Sequence, residues 1–229
     1  MSRTALVLIA TGHKYWPYIN SFLESAKKFF VPHDTFLFTD NSAICNVKYR
    51  YPCEALGYPK ATLYRYHTIL RAQSELSRYD YIFYSDIDMR FIASVLENEI
   101  FSNGITATEH PGFVGLVGSP ERNPESTAYV ECPRTYFCGG FNGGTSRAYL
   151  RMAEAIRASI DADLKKGFVA VWHDESHLNR YLYDNPPARI LTPSFCYPDT
   201  PNDFYRNLWR EKRGVVYEPK LLALVKNPQ

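Results

Sequence analysis

The stretch Tyr81-Ile82-Phe83-Tyr84-Ser85-Asp86-Ile87-Asp88-Met89-Arg90-Phe91 constrains this chain more than any other. It opens as an apolar, aromatic-rich run of strand length. Two carboxylates follow, Asp86 and Asp88, at i and i+2, positions that an extended backbone places on one side. Bare carboxylates held that close repel each other, and a bound cation relieves the repulsion. Oxygen ligands suit Mg²⁺ or Mn²⁺, whose other positions are usually filled by water and phosphate oxygens. The pair therefore reads as a site for a metal-bridged diphosphate. The competing reading is a solvated acidic turn behind a strand, because Asp-x-Asp alone is a short pattern.

The first half of the chain alternates strand and helix. Thr4 to Ala10 reads as a buried strand, Thr11 to Tyr15 as a turn, and Pro17 to Phe30 as a helix with Ile19, Phe22, Leu23, Ala26, Phe29 and Phe30 at helical spacing. Thr35 to Phe38 is a second strand ending in Thr39-Asp40-Asn41-Ser42. Thr62 to Leu76 is a second helix, and Tyr81 to Ser85 a third strand. This order predicts an α/β fold with a mixed, mostly parallel central sheet flanked by helices. Ligands of such sheets collect at the carboxyl ends of the strands, which puts Thr11-Gly12 and Asp86/Asp88 at one crevice.

The second half is less regular. Pro111-Gly112-Phe113 and Cys138-Gly139-Gly140-Phe141-Asn142-Gly143-Gly144 read as loop or turn signals. Ser146 to Ile160 reads as a helix, Phe168 to Tyr183 as a loop running into another, and Lys220 to Gln229 as extended. One domain over 1–229 is expected, with 1–90 as its regular first half and 91–229 as its less regular second half and tail.

Net charge is +2 without a long basic block, so nothing points to nucleic acid. The apolar run Ala5 to Ala10 is too short to span a membrane, and no other stretch approaches that length. Five cysteines without Cys-x-x-Cys spacing suit free thiols in a reducing compartment, hence a soluble cytoplasmic protein.

A second cluster is Val171-Trp172-His173-Asp174-Glu175-Ser176-His177. Two acids flanked by two histidines and an indole are costly to bury without a purpose. His173 and His177 at i, i+4 suggest zinc, yet the zinc-protease pattern needs Glu directly after the first His, and here Asp174 follows it. A helix start capped by Asp174 or Ser176, with His177 packed, is the plainer alternative. Beside a metal–diphosphate site, Glu175 reads as the carboxylate facing a sugar's reacting carbon, with Trp172 stacked on the sugar's apolar face. The glycines at 139, 140, 143 and 144 let backbone approach a ligand, but no phosphate-loop signature accompanies them. His110, before Pro111-Gly112, is equally readable as a turn histidine.

Taken in order, Tyr84-Ser85-Asp86-Ile87-Asp88-Met89, His110-Pro111-Gly112-Phe113, Gly139-Gly140-Phe141-Asn142-Gly143-Gly144 and Trp172-His173-Asp174-Glu175-Ser176-His177-Leu178-Asn179 resemble glycosyltransferase family 6. That is the family of the blood-group A and B transferases and the α1,3-galactosyltransferase. The likeness runs from the first strand to Lys226. It implies the nucleotide-sugar transferase fold of the A type (GT-A). It also implies transfer of galactose or N-acetylgalactosamine from a UDP donor to the 3-hydroxyl of a galactose-type acceptor, with retention. By the same resemblance Ala10, Thr11 and Gly12 contact uridine, Tyr15 lies beside the uracil, and Arg65 lies near the donor. Asp86 and Asp88 hold Mn²⁺ (or Mg²⁺) and the donor. Cys138, Gly139 and Gly140 lie at the donor-selecting segment, where Gly140 leaves room for an N-acetyl group. Asp174 holds the donor sugar and Glu175 faces the reacting carbon. His110 binds acceptor, with Trp172 and Glu175 beside it, and Lys226 closes over the diphosphate. The chain departs from animal members in starting almost at the first strand and in stopping at Gln229, which resembles short soluble microbial or viral members. Some short bacterial members replace both metal-binding Asp by Asn; this chain keeps them, which favours metal dependence. Two rivals remain at this stage, a metal-dependent nucleotide-sugar hydrolase and a non-catalytic sugar-binding module.

Overall fold

The computed structural model describes residues 2–44, 47–199 and 203–225. Its first strand, β1 (Thr4–Ala10), is buried along almost its whole length because helices cover both sheet faces. Side chains alternate across it. Ala5 and Val7 join Phe36, Phe38, Tyr66, Ile69 and Met152 in one core, while Leu6, Leu8 and Ala10 join Ile19, Phe22 and Ala26 in the other. The first helix, α1 (Trp16–Phe29), follows with Pro17 in its first turn and buries Ile19, Phe22 and Ala26 on one stripe.

Three more strands complete the parallel part: β2 (Asp34–Thr39), β3 (Tyr49–Pro52) and β4 (Tyr81–Asp86). The order β3-β2-β1-β4 is parallel throughout. The segment read as one helix from Thr62 to Leu76 is instead three short helices: α2 (Lys60–Leu63), α3 (Arg65–Leu70) and α4 (Gln73–Leu76). The breaks fall at Tyr64 and Ala72, whose ψ values of 14° and 18° leave the helical basin. The break at Tyr64 makes Arg65 the first residue of α3, at the mouth of the sheet.

After β4 come β5 (Met89–Phe91), α5 (Glu97–Ile100) and β6 (Ile105–Glu109), then a 3₁₀ turn over Pro111–Phe113. The glycine-rich run read as a loop is a correction: it is the central strand β7 (Phe137–Thr145), antiparallel to both β4 and β6. Close approach, not turning, demands its glycines. A Cβ on Gly143 would come 2.2 Å from Phe83 Cδ1 and 2.6 Å from the Ile82 carbonyl. Gly144, at φ +147°, sits against the Gly104 carbonyl, which a Cβ would meet at 2.2 Å. Gly143→Ala is expected to destabilise by about 3 kcal/mol, the upper end for overpacking, in denaturant unfolding.

The chain continues through α6 (Ser146–Lys165), capped by Thr145 and longer than the expected Ser146 to Ile160. Then come α7 (Asp174–Asp184), β8 (Arg189–Leu191), β9 (Tyr197–Pro198), α8 (Asp203–Arg213) and β10 (Leu221–Ala223). Among the described residues the main sheet is β3-β2-β1-β4-β7-β6-β8, with β6 and β8 parallel, and a small sheet is β5-β10-β9. The architecture is thus the expected one, a mixed and mostly parallel sheet flanked by helices, consistent with the A-type transferase fold. Strands β3, β5, β6, β8 and β9 had no distinct sequence signal. No helix among the described residues is long and apolar enough to cross a membrane. Cys53, Cys132, Cys138 and Cys196 are free thiols.

Candidate active site

The carboxyl end of β1 is fixed by the end of β2. Thr39 Oγ1 donates to the Ala10 carbonyl at 2.7 Å. Asp40 accepts from the Gly12 N–H at 3.0 and 3.1 Å and from Trp16 Nε1 at 2.7 Å. Gly12 turns there with φ +86°, a conformation that favours glycine. The turn thereby faces the end of β4, and Thr11, Tyr15, Arg65, Tyr84, Asp86 and Asp88 line one recess. The expected crevice exists, and it brings five of the candidate residues together.

Arg65 organises the floor of this site and is only 7% exposed. Its Nε lies 2.9 Å from Asp174 Oδ2 and its Nη2 3.4 Å from Asp86 Oδ1. Nη1 donates to the Gly139 carbonyl at 2.6 Å, and the guanidinium lies over the Tyr84 ring at 4.6 Å. Tyr84 Oη also donates to Asp86 Oδ1 at 2.7 Å. Burial opposes the Arg65 charge, but Asp174, Tyr84 and Asp86 outweigh it, so the guanidinium stays protonated. Burial pushes the Asp174 carboxyl up to about 7, with Arg65 pulling against it. A planar, permanently charged fork suits this three-way role better than a lysine.

Asp174 and Glu175 are the first two residues of α7, where the helix dipole favours negative charge. His173 precedes them at φ +53°, the one non-glycine residue with positive φ among those described. Such strain clusters at working sites. Glu175 Oε2 accepts from the Gly139 N–H at 2.8 Å, and Oε1 from Tyr136 Oη at 2.9 Å. Burial pushes the Glu175 carboxyl up; those two bonds and Arg65 pull it down. A Cβ on Gly140 would lie 3.4 Å from Asp86 Oδ2, 3.5 Å from Met89 Sδ and 3.6 Å from Cys196 Sγ. The Gly139–Gly140 backbone is thus the floor between Asp86 and Glu175. Cys138, beside it, is buried against the Cys196 thiol.

His110 Nδ1 accepts from the Gly112 N–H at 3.1 Å and so caps the Pro111–Phe113 turn. Burial lowers its pKa to about 4, leaving a neutral ring, packed 5.7 Å from the Tyr136 ring. Trp172 is half-exposed and anchored by Nε1 to Ser119 Oγ at 2.9 Å. Asp174 does not cap α7 with its side chain; Ser176 Oγ accepts from the Trp172 N–H at 3.0 Å. His173 and His177 have separate partners. The His173 ring meets Tyr58 edge-on at 5.2 Å, whereas buried His177 pairs through Nδ1 with Ser159 Oγ at 2.8 Å. Among the described residues no third ligand joins this i, i+4 pair. Lys226 lies outside the described residues.

Tyr84, Tyr136, Asp40 and Cys196 were missed. Tyr84 was hidden as one aromatic in an apolar run, and Tyr136 precedes the glycines with no motif of its own. Asp40 was legible only as the polar end of a strand, and Cys196 had no local signal.

Asp86 and Asp88 line one recess, and no third His, Cys, Asp or Glu joins them as a ligand set among the described residues. A Mg²⁺- or Mn²⁺-like ion is commonly held by one or two carboxylates plus phosphate oxygens and water. The pair fits an ion that arrives with a diphosphate.

Residues 3–210 match the Glycosyltransferase family 6 profile. Histo-blood group ABO system transferase 1 of Rattus norvegicus is 30% identical over 208 residues, 80% of this chain and 58% of the relative. Globoside alpha-1,3-N-acetylgalactosaminyltransferase 1 of Homo sapiens is 30% identical over 217 residues, 85% of this chain and 60% of the relative. The O-antigen biosynthesis glycosyltransferase WbnI of Escherichia coli is 27% identical over 203 residues, 83% of this chain and 86% of the relative. The chain spans about three-fifths of the rat and human relatives. With a match over 3–210 and that arrangement of Asp86, Asp88, Arg65, Asp174 and Glu175, the chain belongs to glycosyltransferase family 6.

Proposed function

We propose that this chain is a retaining glycosyltransferase. In this reading it moves N-acetylgalactosamine or galactose from a UDP-sugar to the 3-hydroxyl of a galactose-type glycan, fucosylated acceptors included, in α linkage. The observation that carries the reading is the placement of Glu175 across the Gly139–Gly140 floor from Asp86, with Arg65 joined to both Asp86 and Asp174. A binding module has no need of a carboxylate held by two donors at that point. The relatives' names, an ABO transferase and an α1,3-N-acetylgalactosaminyltransferase, support the donor and linkage. The free thiols fit a cytoplasmic setting.

In this reading Ala10, Thr11, Gly12 and Tyr15 seat the uridine, and Asp86 and Asp88 hold a divalent ion with the diphosphate. When bound, that ion supplies Lewis acidity toward the leaving phosphate. Arg65 keeps positive charge beside Asp86, and Lys226 is proposed to supply a second positive charge to the diphosphate. Asp174, fixed by Arg65, orients the donor sugar over Gly139 and Gly140, next to Cys138. Glu175 faces the anomeric carbon as the bond to UDP loosens toward an oxocarbenium-like state. A glycosyl–enzyme bond and a charge-stabilised ion pair both use the same ionised carboxylate. His110 and Trp172 hold the acceptor, which enters from the leaving-group side. The N-terminal 1–90 then serves mainly the nucleotide, and 91–229 the acceptor and the chemistry.

The test is UDP release from UDP-N-acetylgalactosamine and from UDP-galactose, with and without a fucosylated galactoside, in Mn²⁺ and in EDTA. Release stimulated by acceptor and abolished by EDTA is expected. Release indifferent to acceptor would support the hydrolase instead, and no release with any donor or acceptor would support the binding module. Asp88→Asn is expected to lose UDP affinity in Mn²⁺ by calorimetry, about tenfold or more. Unchanged affinity would remove Asp88 from the donor site.

A further inference from the structure

Tyr136 reaches Glu175 directly, and the proposed reaction makes no use of it. Its phenol donates to Glu175 Oε1 at 2.9 Å, while the Gly139 N–H takes Oε2 at 2.8 Å. Each carboxylate oxygen thus has its own donor, and the pair fixes the plane of the group. Burial and then the Glu175 charge push the phenol well above its ordinary range, so it remains a donor wherever the protein is folded. The side chain is 1% exposed and wedged in place. Gly118, at φ +71°, lies so close that a Cβ there would meet Tyr136 Cβ and Cγ at 2.3 Å. Phe113 packs edge-on at 5.2 Å and His110 at 5.7 Å. The His110 N–H also donates to the Tyr136 carbonyl at 2.9 Å. One residue therefore touches Glu175 with its hydroxyl and the His110 turn with its ring and backbone.

We propose that Tyr136 is a positioning residue that orients Glu175 and ties its placement to the His110–Phe113 turn on the acceptor side. The proposal rests on the reading of Glu175 given above. A carboxylate that must face one carbon cannot rotate freely, and a small misplacement near the reacting atoms costs large factors in rate. The Gly139 bond alone would leave rotation about that contact. Tyr136 removes it, and Gly118 and Phe113 keep Tyr136 from moving.

The test is Tyr136→Phe, which retains the ring packed on His110 and Phe113 and deletes only the hydroxyl. A hydrogen bond to a charged group is worth about a tenfold factor, so kcat is expected to fall about tenfold. UDP affinity by calorimetry should stay near wild type, and the thermal midpoint should fall by only about 3–6 °C at neutral pH, the stability equivalent of the one lost bond. The acidic limb of kcat should move to higher pH by about one unit, because the lost donor had favoured the ionised carboxylate. The other groups that face Glu175 are unchanged in this variant: Asp174 on α7, Arg65 and Tyr66 on α3, Asp86 at the end of β4, and Cys196 before β9. Any shift therefore reports the deleted bond. Unaltered kcat and pH limb would overturn the proposal. So would a loss of kcat with an unmoved limb and a matching loss of folding stability, which assigns Tyr136 to packing alone. In a Glu175→Gln background Tyr136→Phe should add no further loss, and an additive loss would also overturn it. Full transfer by Glu175→Gln alone would sink the reading of Glu175 and the proposal with it. A crippled Glu175→Gln beside an unaffected Tyr136→Phe would sink only the proposal.

Discussion

Glu175→Gln is expected to abolish most transfer, by about three orders of magnitude in kcat, while leaving UDP binding in place. The variant keeps the shape of the side chain and removes its charge. Glu175 is held by two donors, Tyr136 Oη and the Gly139 N–H. A glutamine can offer its carbonyl to only one of them and must turn its amide N–H₂ toward the other. Because the Tyr136 phenol oxygen can accept from that amide while the Gly139 N–H keeps the carbonyl, the variant loses the negative charge and keeps the orientation of the group. Asp86, Asp88 and Arg65 are untouched, so calorimetry with UDP and Mn²⁺ should give a dissociation constant close to wild type. The informative experiment pairs that calorimetry with single-turnover transfer. Intact transfer would take Glu175 out of the mechanism. Lost UDP binding would mean that the carboxylate organises the donor site and does not act at the anomeric carbon.

The parts of this site legible in the sequence are those set by backbone period. Asp86 follows an apolar run, and that alone places it at a strand end, whereas Asp88 lies in the turn to β5 and not on an extended backbone. β1 and α1 were readable for the same reason, since Ile19, Phe22 and Ala26 recur at helical spacing and all three are buried. The glycine run was misread because a glycine reports permission, not purpose. Whether Gly143 marks a turn or a close contact depends on Phe83, sixty positions away in sequence but its register partner on the neighbouring strand. The helix broken at Tyr64 was missed for a related reason. Leu63 before the break and Tyr66, Ile69 and Leu70 after it keep a helical period, so apolar spacing alone does not register it. The partners of Glu175 and Asp174 were beyond reach, because Tyr136 and Arg65 meet them only through the fold. The family resemblance supplied the expectation that Arg65 lies near the donor. Its bonds to Asp174, Asp86 and Gly139 are visible only in the structure, where Arg65 is the first residue of α3.

Arg65→Met is expected to be the most damaging single change to stability, at about 3–5 kcal/mol, the usual cost of removing one partner of a buried ion pair. Methionine fills much of the volume, so the loss is electrostatic more than steric. It strands Asp174, which is 3% exposed, and leaves the Gly139 carbonyl without its guanidinium donor. The pH dependence separates these two effects. The Asp174 carboxyl titrates at about 7 in the folded protein, above its ordinary value of 3.8. A raised folded value means that the unfolded chain releases this proton first as pH rises. The stability associated with the protonated form is thus fully present below 3.8 and is lost as pH climbs through 7. Arg65 pulls that value down, so its removal drives it higher and extends the loss above pH 7. Unfolding midpoints of the variant should fall furthest behind wild type near pH 8 and recover part of the gap below pH 7, where Asp174 is protonated in both. Adding Asp174→Asn should restore part of the stability at pH 8 without restoring transfer. A gap that stays constant from pH 4 to 8 would show that the lost Gly139 bond and packing, not a stranded carboxylate, account for the damage.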